Sequence, residues 1–213
     1  MFLGIILLIL SYFIGSIPFG LLIGKIKGHD LRKSGSGNIG STNAVRVLGK
    51  KLGYVSALCD ILKGTIIILV VYLLEAVTNW HNPFVIKGDS LYALYGVAAV
   101  IGHCFSIYLK FKGGKAVATS LGVLLTAMPW TALAALIGFA IVLYLTGYVS
   151  LSSTTATLSA WATAWILYGV VYGNYFSCCV VSILAIVIII KHIPNYKRLL
   201  NGTENSFKKK KTT

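Results

Sequence analysis

The stretch AVATSLGVLLTAMPWTALAALIGFAIVLYLTG, residues 116–147, decides how this chain is folded. Its 32 residues carry no charge. An apolar helix crosses a bilayer core with roughly 17–25 residues at about 1.5 Å rise each. The run is therefore too long for one untilted helix and slightly short for two full ones. Met128-Pro129-Trp130 interrupts it midway.

The cations outside the run choose between these readings. Residues 25–51 hold Lys25, Lys27, Arg32, Lys33, Arg46, Lys50 and Lys51; residues 110–115 add Lys110, Lys112 and Lys115. The tail adds Lys191, Lys197, Arg198 and Lys208 to Lys211. Two short helices turning at Pro129 put these 17 of the 19 cations on one side of a membrane. The 76–89 loop, with only Lys87, then lies on the other. One helix would set the basic tail opposite the basic loops, so the positive-inside rule selects two. The remaining apolar blocks are about 2–24, 53–74, 90–110, 154–172 and 175–191, the last two parted by the Gly173-Asn174 turn signal. The expectation is an all-α polytopic integral membrane protein with seven transmembrane helices, amino terminus outside and carboxy terminus cytoplasmic.

Composition agrees with a membrane protein. Of 213 residues, 57% are hydrophobic and 11% charged, whereas charged residues make up about a quarter of a soluble domain. Residues 1–213 read as one integral membrane domain ending in a basic tail, 208–213. The first block has neither a basic leader nor a small-residue cleavage site, so it reads as a first span. The net charge of +14 lies beside the spans, where it sets orientation and meets anionic lipid headgroups; nucleic acid is not indicated. Cys59, Cys104, Cys178 and Cys179 lie in apolar blocks without CxxC spacing, so neither a disulfide framework nor zinc is expected. The five carboxylates, Asp30, Asp60, Asp89, Glu75 and Glu204, are scattered, which speaks against a metal centre. No cofactor is expected.

With this topology the unusual polar stretches share the cytoplasmic face: SGSGNIGSTNAVR (34–46), FKGGKAVAT (111–119), YVSLSS (148–153) and KHIPNYKRLLNGTE (191–204). Glycines in the first allow successive amides to converge on an anion, and Arg46 suits phosphate. A solvated Gly/Ser linker has the same composition; the two asparagines and Arg46 favour binding. In the second, Gly113-Gly114 ends one helix and Lys115 starts another, whose free amides favour phosphate between Lys112 and Lys115. The full P-loop pattern is missing, and a basic turn explains the same residues. Asp60 and Lys63, three apart on a span, read as a mutually satisfied pair slightly ahead of a substrate contact. His29 and His81 read as surface residues. His103, seven before Lys110 and so sharing its face, reads as structural ahead of functional. His192 follows the last span, three before Asn195; from the residues alone, a role in orienting substrate is the lesser reading.

In order along the chain, GSIPFG (15–20), SGNIGSTN with Arg46 (36–46), DILKG (60–64), GHCF…LKFKGGKAVAT (102–119), YVSL (148–151) and KH..N..RLLNGTE (191–204) resemble one family. It is the bacterial membrane glycerol-3-phosphate acyltransferases that use acyl phosphate, matched from about residue 15 to 204. The resemblance implies a seven-helix fold in the bacterial inner membrane with its motifs cytoplasmic. It implies acyl transfer to the sn-1 hydroxyl, giving lysophosphatidic acid and phosphate. Ser36 and Arg46 become active-site residues, with Gly37, Asn38, Gly40, Thr42 and Asn43 binding phosphate. Gly113, Gly114 and Lys115, flanked by Lys112, become the glycerol-3-phosphate loop. Ser150, His192 and Asn195 join the catalytic set, and Lys63 and Glu204 support it. The chain departs from the usual pattern at Ser106 for proline, Ala116 for the last glycine of GGKG, and Ile193 for arginine.

The chemistry suits these residues. An acyl phosphate is a mixed anhydride with a good leaving group, so the task is placing two anions and stabilising departing phosphate. The expected proton acceptor is His192 or a donor phosphate oxygen, with Ser36 and Ser150 positioning; an acyl-serine at Ser36 is disfavoured for want of an adjacent base. The 34–46 stretch is expected to hold the donor's phosphate and the GGK turn the acceptor's. No histidine has aspartate five positions on, and clustered aspartates are missing, so HxxxxD acyltransferases and CDP-alcohol phosphotransferases fit poorly. A transporter would carry its polar groups nearer the membrane midplane.

Overall fold

The structure, a computed structural model, describes residues 1–86 and 89–208; Lys87 and the tail residues Lys209 to Lys211 of the charge count lie outside the described residues. It is almost entirely helical and divides into two compact units, Met1–Ala127 and Met128–Thr213.

The first unit contains α1 (Phe2–Ser16), α2 (Phe19–Ile26), α3 (Ser41–Leu48), α4 (Lys50–Val77), α5 (Ala93–Cys104) and α6 (Val117–Ala127). A two-residue antiparallel pair, β1 (Val85–Ile86) with β2 (Asp89–Ser90), precedes α5, and a 3-10 turn at Ile107–Leu109 follows it. The block expected as one span over 2–24 is two helices bent by 43°. Pro18 has no amide proton and cannot continue the ladder. Two carbonyls at the break find donors elsewhere: Ser106 Oγ on Ser16 O at 2.6 Å and Lys63 Nζ on Ile17 O at 2.8 Å. Helices in lipid gain little from apolar burial against each other and rely on close packing. Accordingly α1 meets α5 where a Cβ on Gly15 would strike the Ala99 backbone, and α4 meets α6 where Gly122 faces the Ile61 carbonyl.

The second unit contains α7 (Pro129–Thr146), α8 (Val149–Thr163), prolonged by π-helical turns over Ala164–Val171, and α9 (Tyr175–Leu200). The long uncharged run thus divides where Pro129 stands, as the first residue of α7. Asn174 caps α9 by accepting from Ser177 N at 3.1 Å. Two boundaries differ from expectation. The YVSLSS stretch is helical from Val149, and hydroxyls are satisfied within the helix by bonding backward to its carbonyls: Ser152 Oγ to Tyr148 O at 2.8 Å and, just past the stretch, Thr154 Oγ1 to Ser150 O at 3.0 Å. The last helix runs nine residues past Lys191 with Pro194 inside it, since one missing amide in a long apolar helix is tolerated.

Among the described residues α4, α7 and α9 are each long and apolar enough to cross a membrane, and α1 with α2 makes a bent fourth. Ala93–Leu109 and Val117–Ala127 are shorter apolar helices.

Candidate active site

In the first unit, residues 34–43 are braced from within. Asn43, fully buried in the first turn of α3, accepts from Ser36 N at 2.8 Å. Its Nδ2 donates to the carbonyls of Leu31, Ser34 and Asn38 at 2.8–3.0 Å. Asn38 Oδ1 accepts from Gly40 N at 2.8 Å, just before α3 begins. Gly35 is left-handed at φ 61, and a Cβ there would run into Asn43 Oδ1. The stretch is a folded loop, not a solvated spacer. Asn43, expected among the phosphate-binding groups, has its amide committed to the loop backbone. Ser36, Asn38, Gly40, Thr42 and Arg46 are half-buried and Gly37 is exposed, with Arg46 in the last turn of α3. Before the loop, hydrogen bonds from the Arg32 side chain and backbone hold the Asp30 carboxyl well below the usual carboxylate range.

The GGK turn is also built differently from the expectation. The helix starts at Val117, not Lys115. Gly113 N donates to Cys104 O at 3.2 Å and Gly114 N to His103 O at 3.0 Å, so both glycine amides close the turn onto the end of α5. The first-turn amides of α6 have no intrahelical acceptor and keep the positive end of the helix dipole there. Lys112 is exposed and Lys115 half-buried. Lys110, Phe111 and Ala116 are all left-handed, at φ 51, 63 and 59. Lys110 lies beyond α5, so the helical face expected to join it to His103 does not exist.

In the second unit Glu204 is the hub. Its Oε1 accepts from Ser150 Oγ at 2.9 Å and Asn195 Nδ2 at 2.8 Å, and its Oε2 from Arg198 Nε at 2.7 Å. Burial opposes ionisation, but the bonds from Asn195, Arg198 and Ser150 outweigh it and hold the Glu204 carboxyl below its ordinary value. His192 is buried inside α9, one turn before Asn195, and does not follow the helix as expected. Its Nδ1 stands 2.8 Å from Ile188 O. A carbonyl only accepts, so the neutral ring carries its proton on Nδ1 and its basic nitrogen is Nε2. The His192 and Tyr196 rings lie 29° apart in plane, and the Tyr196 hydroxyl pairs with Thr154 Oγ1 at 2.7 Å.

The pair Asp60–Lys63 is present at 2.8 Å, both side chains buried. Sequence reasoning missed Arg198 as a partner of Glu204 and gave His103 no contact with the glycine turn. A histidine near the end of an apolar block, with a double glycine following that block, was the available signal for the second.

Apolar helices of spanning length and folded polar loops that carry cations define a helical integral membrane protein with anion-suited loops. The glycerol-3-phosphate acyltransferase family profile matches residues 5–202. A glycerol-3-phosphate acyltransferase of Desulfotalea psychrophila is 44% identical over 204 residues, covering 95% of this chain and 97% of the relative. That of Bacillus subtilis has the same identity and coverage. The crystal structure of PlsY (YgiH), an integral membrane glycerol 3-phosphate acyltransferase, in its glycerol 3-phosphate form superposes with a TM-score of 0.82 at 36% identity, covering 96% of each chain. Its lysophosphatidic acid form gives 0.79 at 35% identity, covering 96% of this chain and 95% of that one. The chain belongs to the glycerol-3-phosphate acyltransferase family.

Proposed function

We propose that the protein transfers a fatty acyl group from acyl phosphate to the sn-1 hydroxyl of glycerol-3-phosphate. The products are lysophosphatidic acid and inorganic phosphate, the first step of phospholipid synthesis. The observation that carries this reading is the Asn43-braced glycine loop running into Arg46. A loop held this firmly supports a fixed anion site, and the donor's phosphate is the anion assigned to it. The GGK turn, with Lys115 and the start of α6, is assigned the glycerol phosphate. Two anion-suited elements in one unit match two phosphate-bearing substrates. His192, with Nε2 as its basic nitrogen, or a donor phosphate oxygen takes the hydroxyl proton, while Ser36 and Ser150 position the groups. Glu204 orients Ser150 and Asn195.

The same reading has residues 1–213 as one acyltransferase domain of seven spans in the bacterial inner membrane, amino terminus outside and reaction on the cytoplasmic side. The side on which 17 of 19 cations gather supports that orientation.

Purified protein given palmitoyl phosphate and labelled glycerol-3-phosphate, without acyl-CoA, is expected to release lysophosphatidic acid and phosphate in equal amounts. Folded protein that forms product only from palmitoyl-CoA would overturn the donor; no product from either would overturn the reaction.

A further inference from the structure

The first unit buries a second polar group apart from the loops assigned to substrate. Lys63 and Asp60 are 2% and 3% exposed at the side chain. A buried ion pair is a poor source of net stability, because desolvation offsets its Coulomb gain. Charges in an apolar helix tend to be kept for a task, and both ends of this pair reach beyond it. Lys63 Nζ donates to Ile17 O at the α1–α2 break. Asp60 Oδ1 lies 3.7 Å from His103 Nδ1 on α5, and that nitrogen is 3.3 Å from Thr119 Oγ1 on α6. The far edge of the same ring abuts the glycine turn: a Cβ on Gly114 would meet His103 Nε2. The His103 carbonyl meanwhile receives the Gly114 amide at 3.0 Å.

We infer that His103, aligned by Asp60 and Thr119, is a positioning residue for the GGK turn and so for the acceptor substrate. This rests on the proposed function only in assigning that turn to glycerol-3-phosphate. An imidazole turns about its outer torsion unless its nitrogens are held. Asp60 and Thr119 hold the Nδ1 edge, which leaves the opposite edge as a wall against Gly114. Lys63 fixes Asp60 in turn, so three helices set the plane of one ring. Removing the wall lets the turn, with two left-handed residues before it and one after, relax and displace Lys115 and the α6 amides. That weakens ground-state binding of the acceptor and leaves the donor's loop alone.

The test uses the full chain in detergent: wild type, H103A, H103Q and T119V. Initial rates are measured against glycerol-3-phosphate and palmitoyl phosphate separately, with thermal melts in the presence and absence of glycerol-3-phosphate. H103A is expected to raise KM for glycerol-3-phosphate by about tenfold or more and to keep KM for palmitoyl phosphate within about twofold. It should also lose the thermal protection that glycerol-3-phosphate gives wild type. H103Q, whose amide reaches the Gly114 edge, should recover most of the loss. T119V, which keeps shape and removes one nitrogen partner, should move KM the same way by less and covers the case of an unfolded H103A. Equal rises in both KM values, or acceptor KM and protection unchanged in the variants, would overturn the inference alone. Wild type that glycerol-3-phosphate does not protect would instead sink the assignment of the turn.

Discussion

Ser150 on α8 and Asn195 on α9 donate to one and the same oxygen, Glu204 Oε1, at 2.9 and 2.8 Å. The serine hydroxyl proton is thereby spoken for, and what Ser150 offers any other group is its lone pairs. Glu204→Gln keeps the shape but replaces an acceptor with a donor facing Ser150, Asn195 or Arg198. Loss of about 2–3 kcal/mol of stability is expected from hydrogen bonds to a charged group, with a fall in kcat. Chemical unfolding monitored by tryptophan fluorescence reads the first and phosphate release the second. Full kcat in E204Q would show that Ser150 and Asn195 need no orienting.

The same carboxylate gives a pH dependence whose sign is fixed. Its folded-state value lies below the ordinary one. The stabilisation is therefore complete above the ordinary glutamate value and is lost as pH falls through the depressed one. The stability gap between wild type and E204Q should be constant near neutrality and close progressively as pH falls below the ordinary glutamate value. A gap that widens in acid contradicts the hub.

Ala116, where the resemblance to the family implies glycine, is buried and left-handed at φ 59. A left-handed alanine costs about 1–2 kcal/mol, partly offset because glycine loosens the unfolded chain. Ala116→Gly should therefore stabilise the protein by roughly 0.5–1 kcal/mol. A melt in detergent that drops on this change would show that the methyl's packing outweighs the strain.

Asn43→Asp exchanges the donors to three carbonyls for a carboxylate pointed at them. The 34–46 loop should open, and trypsin should cut after Arg32 and Lys33 faster than in wild type, both residues being exposed. KM for palmitoyl phosphate should rise along with cleavage. An intact, trypsin-resistant loop in N43D would mean that the brace lies elsewhere.

His192→Ala removes the basic nitrogen that Ile188 aims. If that nitrogen takes the proton, kcat falls by about 10²–10⁴-fold. Retained kcat assigns the proton to the donor's own phosphate oxygen.

The helical class and the division at Pro129 were legible because charge-free length and the placement of cations are one-dimensional quantities. Polar motifs were legible as motifs but not as geometry. GGK reads as a helix start offering amides, yet Gly113 and Gly114 give theirs to Cys104 and His103. Those acceptors become available only when α5 ends beside the turn. Asn43 looks the same in sequence whether it binds a ligand or three carbonyls. Pro18 and Pro194 show the limit of local rules. Each removes one amide; the first bends a span by 43° and the second sits inside a continuous helix. The first break has tertiary donors waiting for its carbonyls, from residues 46 and 90 positions later.

That last feature bears on how the protein enters its membrane. An unsatisfied carbonyl in hydrocarbon costs several kcal/mol; the break leaves Ser16 O to wait for the Ser106 hydroxyl, and Ile17 O with the Phe19 amide at 3.2 Å until α4 adds Lys63. During biogenesis the first span must therefore keep its kink near water or beside a borrowed donor, and it becomes a settled bilayer segment only after later helices are made. Insertion is ordered by hydrogen-bond satisfaction: a helix made before its donors is finished only once they arrive.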